Sequence, residues 1–193
     1  SNMNAILNLR KNFNVLVNFP NINRADAVIV GAGPSLDYTV KSLKKNQRKC
    51  FIIATDGALQ TLLLNGLTPD MIVSSEDRVR SWRFVANQLD KLKEVPLFVG
   101  LKGNHYLTSH YPGPLILTKT SDYEVWCRSL SKQFPILEEG RCVGHMAFNL
   151  AIAVNAGRIV MTGFDLAFRG DRFHPQGMPT PYFHDRDVFV PVT

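Results

Sequence analysis

Short, continuously apolar runs alternate with helix-periodic segments along most of this chain, and no other feature limits its fold so strongly. The runs "DAVIVGAG", "CFIIATDG", "PDMIVSSED", "VPLFVGLKG", "GPLILTKT" and "RIVMTGFDLAF" predict strands. Between them "PSLDYTVKSLKKN", "ALQTLLLNG", "VRSWRFVANQLDKL" and "HMAFNLAIAVNAG" predict helices, the second closed by Gly66 and the last apolar enough to be buried on most faces. Ile52-Ile53-Ala54 and Ile159-Val160-Met161 do not alternate with polar residues, as expected of parallel strands covered on both sides. The expected fold class is α/β and Rossmann-like: an open, mostly parallel sheet with helices on both faces.

The length of 193 residues suits one such domain, expected over residues 25–193, behind a lead-in of residues 1–24. Ser1-Asn2 ahead of Met3 has the form of a tag-cleavage remnant, and the chain stops in "DVFVPVT" as if cut in mid-strand. Hydrophobic content of 45% with 20% charged residues is ordinary globular composition and argues against a disordered chain. No apolar run is long enough to span a bilayer and no secretory signal opens the sequence, so a cytoplasmic location is expected.

Cys50, Cys127 and Cys142 have no CxxC spacing, which argues against a disulfide framework or a thiolate zinc site. The net charge of +6 favours anionic ligands. Its lysines and arginines are dispersed, however, and Lys41, Lys44, Lys45, Arg48 and Lys49 fit one solvated helix face. No basic stripe interleaved with aromatics suggests nucleic acid, so small anionic substrates are expected instead.

The stretch "AVIVGAGPSLDYTV" carries a strand into a glycine bend and then a helix. Gly31 permits a positive φ, Gly33 admits a close neighbour, and Pro34 suits a helix start. The amides of Ser35 and Leu36 and the Ser35 hydroxyl are then expected to point outward and bind a phosphate. Leu36 stands where the dinucleotide fingerprint needs a third glycine, and no Gly-Lys-Ser/Thr occurs, which leaves a mononucleotide or another phosphorylated ligand. A purely structural tight turn is the competing explanation. Neighbouring strand ends supply Asp56, an acceptor for ribose hydroxyls, and Glu76 with Asp77, which could hold a divalent ion between phosphates. For Asp77, helix capping explains the residue equally well. From Arg169 to Asp187 the sequence is rich in Pro, Gly, His and Asp and lacks periodicity, which suits a functional loop or lid.

"VIVGAGPSLD", "ATDGALQTLL", "GLTPDMIVSSED", "CVGHMAFNLAIAV", "MTGFDLAF" and "RFHPQG" together resemble the signature segments of the domain shared by bacterial motility accessory factors and archaeal 6-hydroxymethylpterin diphosphokinase-like proteins. The resemblance covers about residues 25–193. The glycine bend and the Gly-X-Asp strand end are also similar to bacterial CMP-sialic acid-dependent sialyltransferases. It implies a glycosyltransferase-like enzyme that moves a nonulosonic (sialic-like) acid from CMP to a hydroxyl of flagellin, another protein or a glycan.

On this resemblance Gly31, Gly33, Pro34, Ser35, Asp56, Val143, Gly144 and Asp165 are nucleotide-binding, and Asp77 is the third-strand acid and a metal candidate. The matching loop histidine is His174, and either His174 or His184 could supply the catalytic base, imidazole titrating near neutrality. Cys142 stands where the accessory factors usually have Ser, and Asn155 where they have Gly. His145 is expected at a core or rim position, while His105 and His110 have no assigned partner. The resemblance implies a CMP-sugar as donor substrate and establishes no cofactor, while Asp77 leaves a place for Mg2+. Two alternatives stand beside this: a 6-hydroxymethyl-dihydropterin diphosphokinase using ATP and magnesium through Asp56 and Asp77, and a catalytically silent nucleotide-sugar-binding module.

Overall fold

The computed structural model describes residues 2–10, 19–77, 80–118, 137, 140, 142–170 and 172–176. Within them six parallel strands form one sheet: β1 (Ala27–Val30), β2 (Phe51–Thr55), β3 (Met71–Ser74), β4 (Leu97–Gly100), β5 (Leu115–Thr118) and β6 (Ile159–Thr162). Their order is β5-β4-β3-β2-β1-β6. Val28 is paired with Ile52 on one side and Val160 on the other. The chain therefore builds outward from β1 to β5 and returns to lay β6 on the opposite side of β1. Strand order reverses at β1, and a crevice at the carboxyl ends of β1 and β6 follows from that topology.

Because side chains alternate across a strand, each face of the sheet collects its own core. Val30, Ile52, Ala54, Ile72, Leu97, Val99, Leu115 and Leu117 meet α2 (Leu36–Asn46), α3 (Asp56–Leu64), α4 (Arg80–Val85) and α5 (His105–His110). Ala27, Ile29, Ile53, Met71, Val73, Phe98 and Ile116 meet α6 (Val143–Ala153). The expected α/β architecture with helices on both faces is present.

Two expectations about burial need correction. In α6 only Gly144, Met146, Ala147, Leu150 and Ala151 are buried, whereas Phe148 is 40% and Ile152 58% exposed. The helix is apolar all round but covers the sheet with one stripe. Likewise β6 is not sandwiched: it borders the sheet among the described residues, and Val160 and Met161 are exposed. A run of three apolar residues does not distinguish an interior strand from an edge strand, because the distinction lies in which elements the rest of the chain brings alongside.

The lead-in contributes a helix, α1 (Asn2–Arg10), docked over the carboxyl ends of β3 and β4. Asn8 is buried and saturated: its Nδ2 donates to the Leu101 carbonyl at 2.9 Å and the Gly103 carbonyl at 3.0 Å, and its Oδ1 accepts from Thr108 Oγ1 at 2.8 Å. One turn earlier Asn4 Nδ2 donates to the Asp77 carbonyl at 2.7 Å. Asparagines four apart share a helix face, so α1 satisfies loop carbonyls that the sheet leaves unpaired.

Candidate functional site

A cavity of about 300 Å³ lies at the reversal of strand order. Its wall comes from the loops after β1 (Gly31 to Pro34) and β6 (Gly163 to Ala167), the β2–α3 junction (Thr55 to Gly57), Phe84 and the start of α6 (Cys142 to Gly144), with Phe173 and His174 beyond. Of the sequence-predicted residues, Gly31, Gly33, Pro34, Asp56, Val143, Gly144, Asp165 and His174 all meet here. His184 lies outside the described residues. Asp77 is exposed and is not part of the wall.

The glycine bend works differently from expectation. Gly31 does not adopt a positive φ. It is needed because the β1 and β6 loops touch: a Cβ on Gly31 would strike the Gly163 carbonyl and come within 2.9 Å of the Phe164 ring. Gly163 has the positive φ, +73°. Gly33 admits Asp165, since its Cβ would collide with the carboxylate and sit 2.7 Å from the Gly163 carbonyl. Gly144 admits the other edge of Phe164, 2.7 Å from where its Cβ would be. These glycines thus wrap the Gly163-Phe164-Asp165 strand end.

The proposed phosphate socket at α2 is filled from within the chain. The Ser35 amide donates to Asp165 Oδ2 at 3.0 Å, and the Leu36 amide donates to the Gly33 carbonyl at 3.1 Å. Ser35 is not in the cavity wall, and Pro34 precedes the helix cap instead of opening the helix. A carboxylate is the natural guest of a helix N-terminus, and here the loop after β6 supplies it. The cavity meets a helix start elsewhere, at α6, where Cys142 is the cap, its carbonyl accepts from the His145 amide at 3.0 Å, and the Val143 and Gly144 amides precede that first intrahelical donor. Asp165 therefore acts on the fold side of the site, tying β6 to α2.

Asp56, the first residue of α3, is buried; its Oδ2 accepts from Ser74 Oγ at 2.6 Å and its Oδ1 from the Gly57 amide at 2.8 Å. Burial pushes its pKa up to about 6 against the pull of those two donors, and the nearby charge of Glu76 adds to the rise. It is the cavity's strongly shifted acid.

His174 Nδ1 lies 2.9 Å from the Ala32 carbonyl oxygen. A carbonyl only accepts, so Nδ1 carries the hydrogen and Nε2 is the basic nitrogen of the neutral ring. Phe173 packs against the imidazole edge-on at 4.9 Å between centroids. His145 is exposed on the first turn of α6, a rim position.

For a metal, no three His, Cys, Asp or Glu side chains converge among the described residues. The Asp77 main-chain carbonyl accepts from Asn4 Nδ2. The wall residues that sequence reasoning did not single out include Ala32, Phe84, Phe164 and Phe173. Ala32 acts through its carbonyl, which no residue type advertises. The phenylalanines resemble any others in a chain with 12 of them.

The fold has a counterpart in a solved structure. A solved glycosyltransferase of the MAf type from Magnetospirillum magneticum AMB-1 superposes with a TM-score of 0.72 at 21% identity, over 86% of this chain and 27% of its own. The chain is 28% identical over 141 residues to a 6-hydroxymethyl-7,8-dihydropterin pyrophosphokinase of Methanothermobacter thermautotrophicus, covering 73% of this chain and 57% of that protein. It is 35% identical over 80 residues to an uncharacterized protein of Treponema pallidum, covering 41% and 38%. The chain thus spans between about a quarter and three fifths of each of these relatives. The family model described as "6-hydroxymethylpterin diphosphokinase MptE-like" matches residues 1–171, and the chain belongs to that family.

Proposed function

We propose that the cavity binds a nucleotide-activated donor and that the chain carries a glycosyltransferase-like centre, with a CMP-activated nonulosonic acid as donor and a protein or glycan hydroxyl as acceptor. The observation that carries this is a histidine in the cavity wall, His174, held by its Nδ1 on the Ala32 carbonyl, beside the N-terminus of α6 in the same wall. In the transfer, the acceptor hydroxyl gives its proton to Nε2 as its oxygen bonds to the anomeric carbon. The bond from that carbon to the phosphate oxygen breaks, and CMP leaves with the electron pair. The amides of Val143 and Gly144 and the positive end of α6 meet the phosphate charge. Phe164, Phe173 and Val143 give the sugar or base an apolar wall. A volume of about 300 Å³ is at the lower end for small-molecule sites and suits one nucleotide better than two.

A second possibility is diphosphoryl transfer from ATP to a pterin alcohol, favoured by the family description and by the name of the archaeal relative. Within the cavity it would use Asp56 toward magnesium carried in on the phosphates, an ion that takes only one or two protein carboxylates; Asp77 lies outside the wall.

Titration with CMP and with ATP, each with and without magnesium, separates the two. The transferase predicts CMP binding without metal and a loss of about 10²- to 10⁴-fold in transfer for His174→Gln at unchanged CMP affinity. Tight ATP binding that requires magnesium, with no response to CMP, would reject it in favour of the kinase. Failure of both ligands at millimolar concentration would leave a silent module.

A further inference from the structure

His174 sits on a segment without regular secondary structure, yet that segment is pinned on both sides of the histidine by one side chain. Asp37, in the first turn of α2, accepts from Arg172 Nη1 through Oδ2 at 2.9 Å and from the Gln176 amide through Oδ1 at 2.8 Å. The two anchors are two residues before and two residues after His174. Further ties run the same way. Thr61 Oγ1 on α3 donates to the Gln176 carbonyl at 3.3 Å, and the Arg169 guanidinium lies 4.1 Å from the centre of the Tyr38 ring. Arg169 and Arg172 close a tight turn through reciprocal main-chain hydrogen bonds of 2.8 and 3.1 Å. The Asp37 side chain is only 17% exposed, so its pairing with Arg172 is partly shielded from water.

We propose that Asp37 is the positioning residue of this site: it straps residues 172–176 across α2 and α3 so that His174 keeps Nδ1 on the Ala32 carbonyl at the cavity wall. Sites on irregular chain are less exact than sites on strands or helices unless a supporting shell fixes them. A carboxylate with two oxygens and two separate donors supplies such a shell, because each oxygen fixes one end of a five-residue span. Asp37 is absent from the cavity wall, so its contribution to the chemistry passes through His174. The use made of the strap rests on the transferase proposal; its existence does not.

The test compares wild type with Asp37→Ala and Arg172→Gln, the second of which leaves α2 untouched, and with Asp37→Asn as the conservative change. Two readouts need no ligand: hydrogen exchange at the Gln176 amide, and the ¹⁵N shifts of the His174 ring. In Asp37→Ala, Gln176 should exchange about tenfold faster or more while sheet amides keep their protection. The His174 ring should leave its pure Nδ1–H form in both Asp37→Ala and Arg172→Gln. In transfer from a CMP-activated donor, kcat should fall and the donor KM should hold, with Asp37→Asn partly restored. Unchanged exchange in Asp37→Ala, or an unchanged ring signature in both variants, overturns the proposal, as does an altered ring with undiminished kcat. If the exchange and ring signals move but wild type transfers nothing from a CMP donor, the strap stands and the transferase assignment falls.

Discussion

Asp165 Oδ2 and the Ser35 amide nitrogen are 3.0 Å apart, a hydrogen bond that joins the loop after β6 to the start of α2 across 130 residues of sequence. The carboxylate is partly buried, at a helix end whose dipole favours its charge. Asp165→Ala should cost about 1.5–3 kcal/mol, the range for a hydrogen bond to a charged group, and Asp165→Asn clearly less. Chemical denaturation checks this. Equal, negligible losses in both variants would show that the contact contributes nothing to stability.

Gly33 is governed by the same contact. Gly33→Ala drives a methyl group into Asp165 and the Gly163 carbonyl, and main chain cannot swing aside as a flexible side chain can. A loss of about 1–3 kcal/mol is expected, as for overpacking in a core. In the Asp165→Ala background the same change should cost less, because one of the two obstacles is gone. A thermodynamic cycle measures the coupling, and strict additivity would contradict the shared contact.

Asp56 should make stability depend on pH. Its folded pKa is about 6 against an ordinary 3.8, so between those values the folded state holds more proton than the unfolded one. Stability then falls as pH rises from about 4 to 6 and levels off above, by roughly 3 kcal/mol in all if the full shift is realised. Asp56→Asn removes this slope, although its amide nitrogen must face either Ser74 or Gly57. The difference between the wild-type and Asn stability curves isolates the group; parallel curves across that window would mean that Asp56 titrates normally.

The one-sided burial of α6 predicts contrasting truncations. Leu150→Ala, in the core, should cost about 2–5 kcal/mol, whereas Ile152→Ala, at 58% exposure, should stay within about 0.5 kcal/mol. Comparable losses at both sites would show that the outer face of this helix is covered.

Asn8 predicts what α1 is for. Asn8→Ala leaves the carbonyls of Leu101 and Gly103 without their donor and should lose about 1–3 kcal/mol. Asn8→Asp should be worse, since a carboxylate would face two carbonyl oxygens. Thermal melts of the two variants rank them, and a neutral Asp variant would exclude the docking described for this helix.

Local order along the chain was legible because it rests on periods: runs such as Val28-Ile29-Val30 and Ile52-Ile53-Ala54 became adjacent parallel strands, and Gly66, at φ +67°, ends α3 where expected. That the loops after β1, β2 and β6 meet at one crevice was legible as well, since strand ends of an open parallel sheet converge by topology. Pairing across the chain was not. That Asp165 fills the helix start at Ser35, that the start of α6 lines the cavity, and that β6 borders the sheet among the described residues depend on which of many compatible partners the chain brings together. A carboxylate at position 165 looks the same in sequence whether it binds a ligand or an amide 130 residues away; only the packed structure selects its partner, because hydrogen bonds are decided by distances of a few ångströms and sequence separation carries no distance.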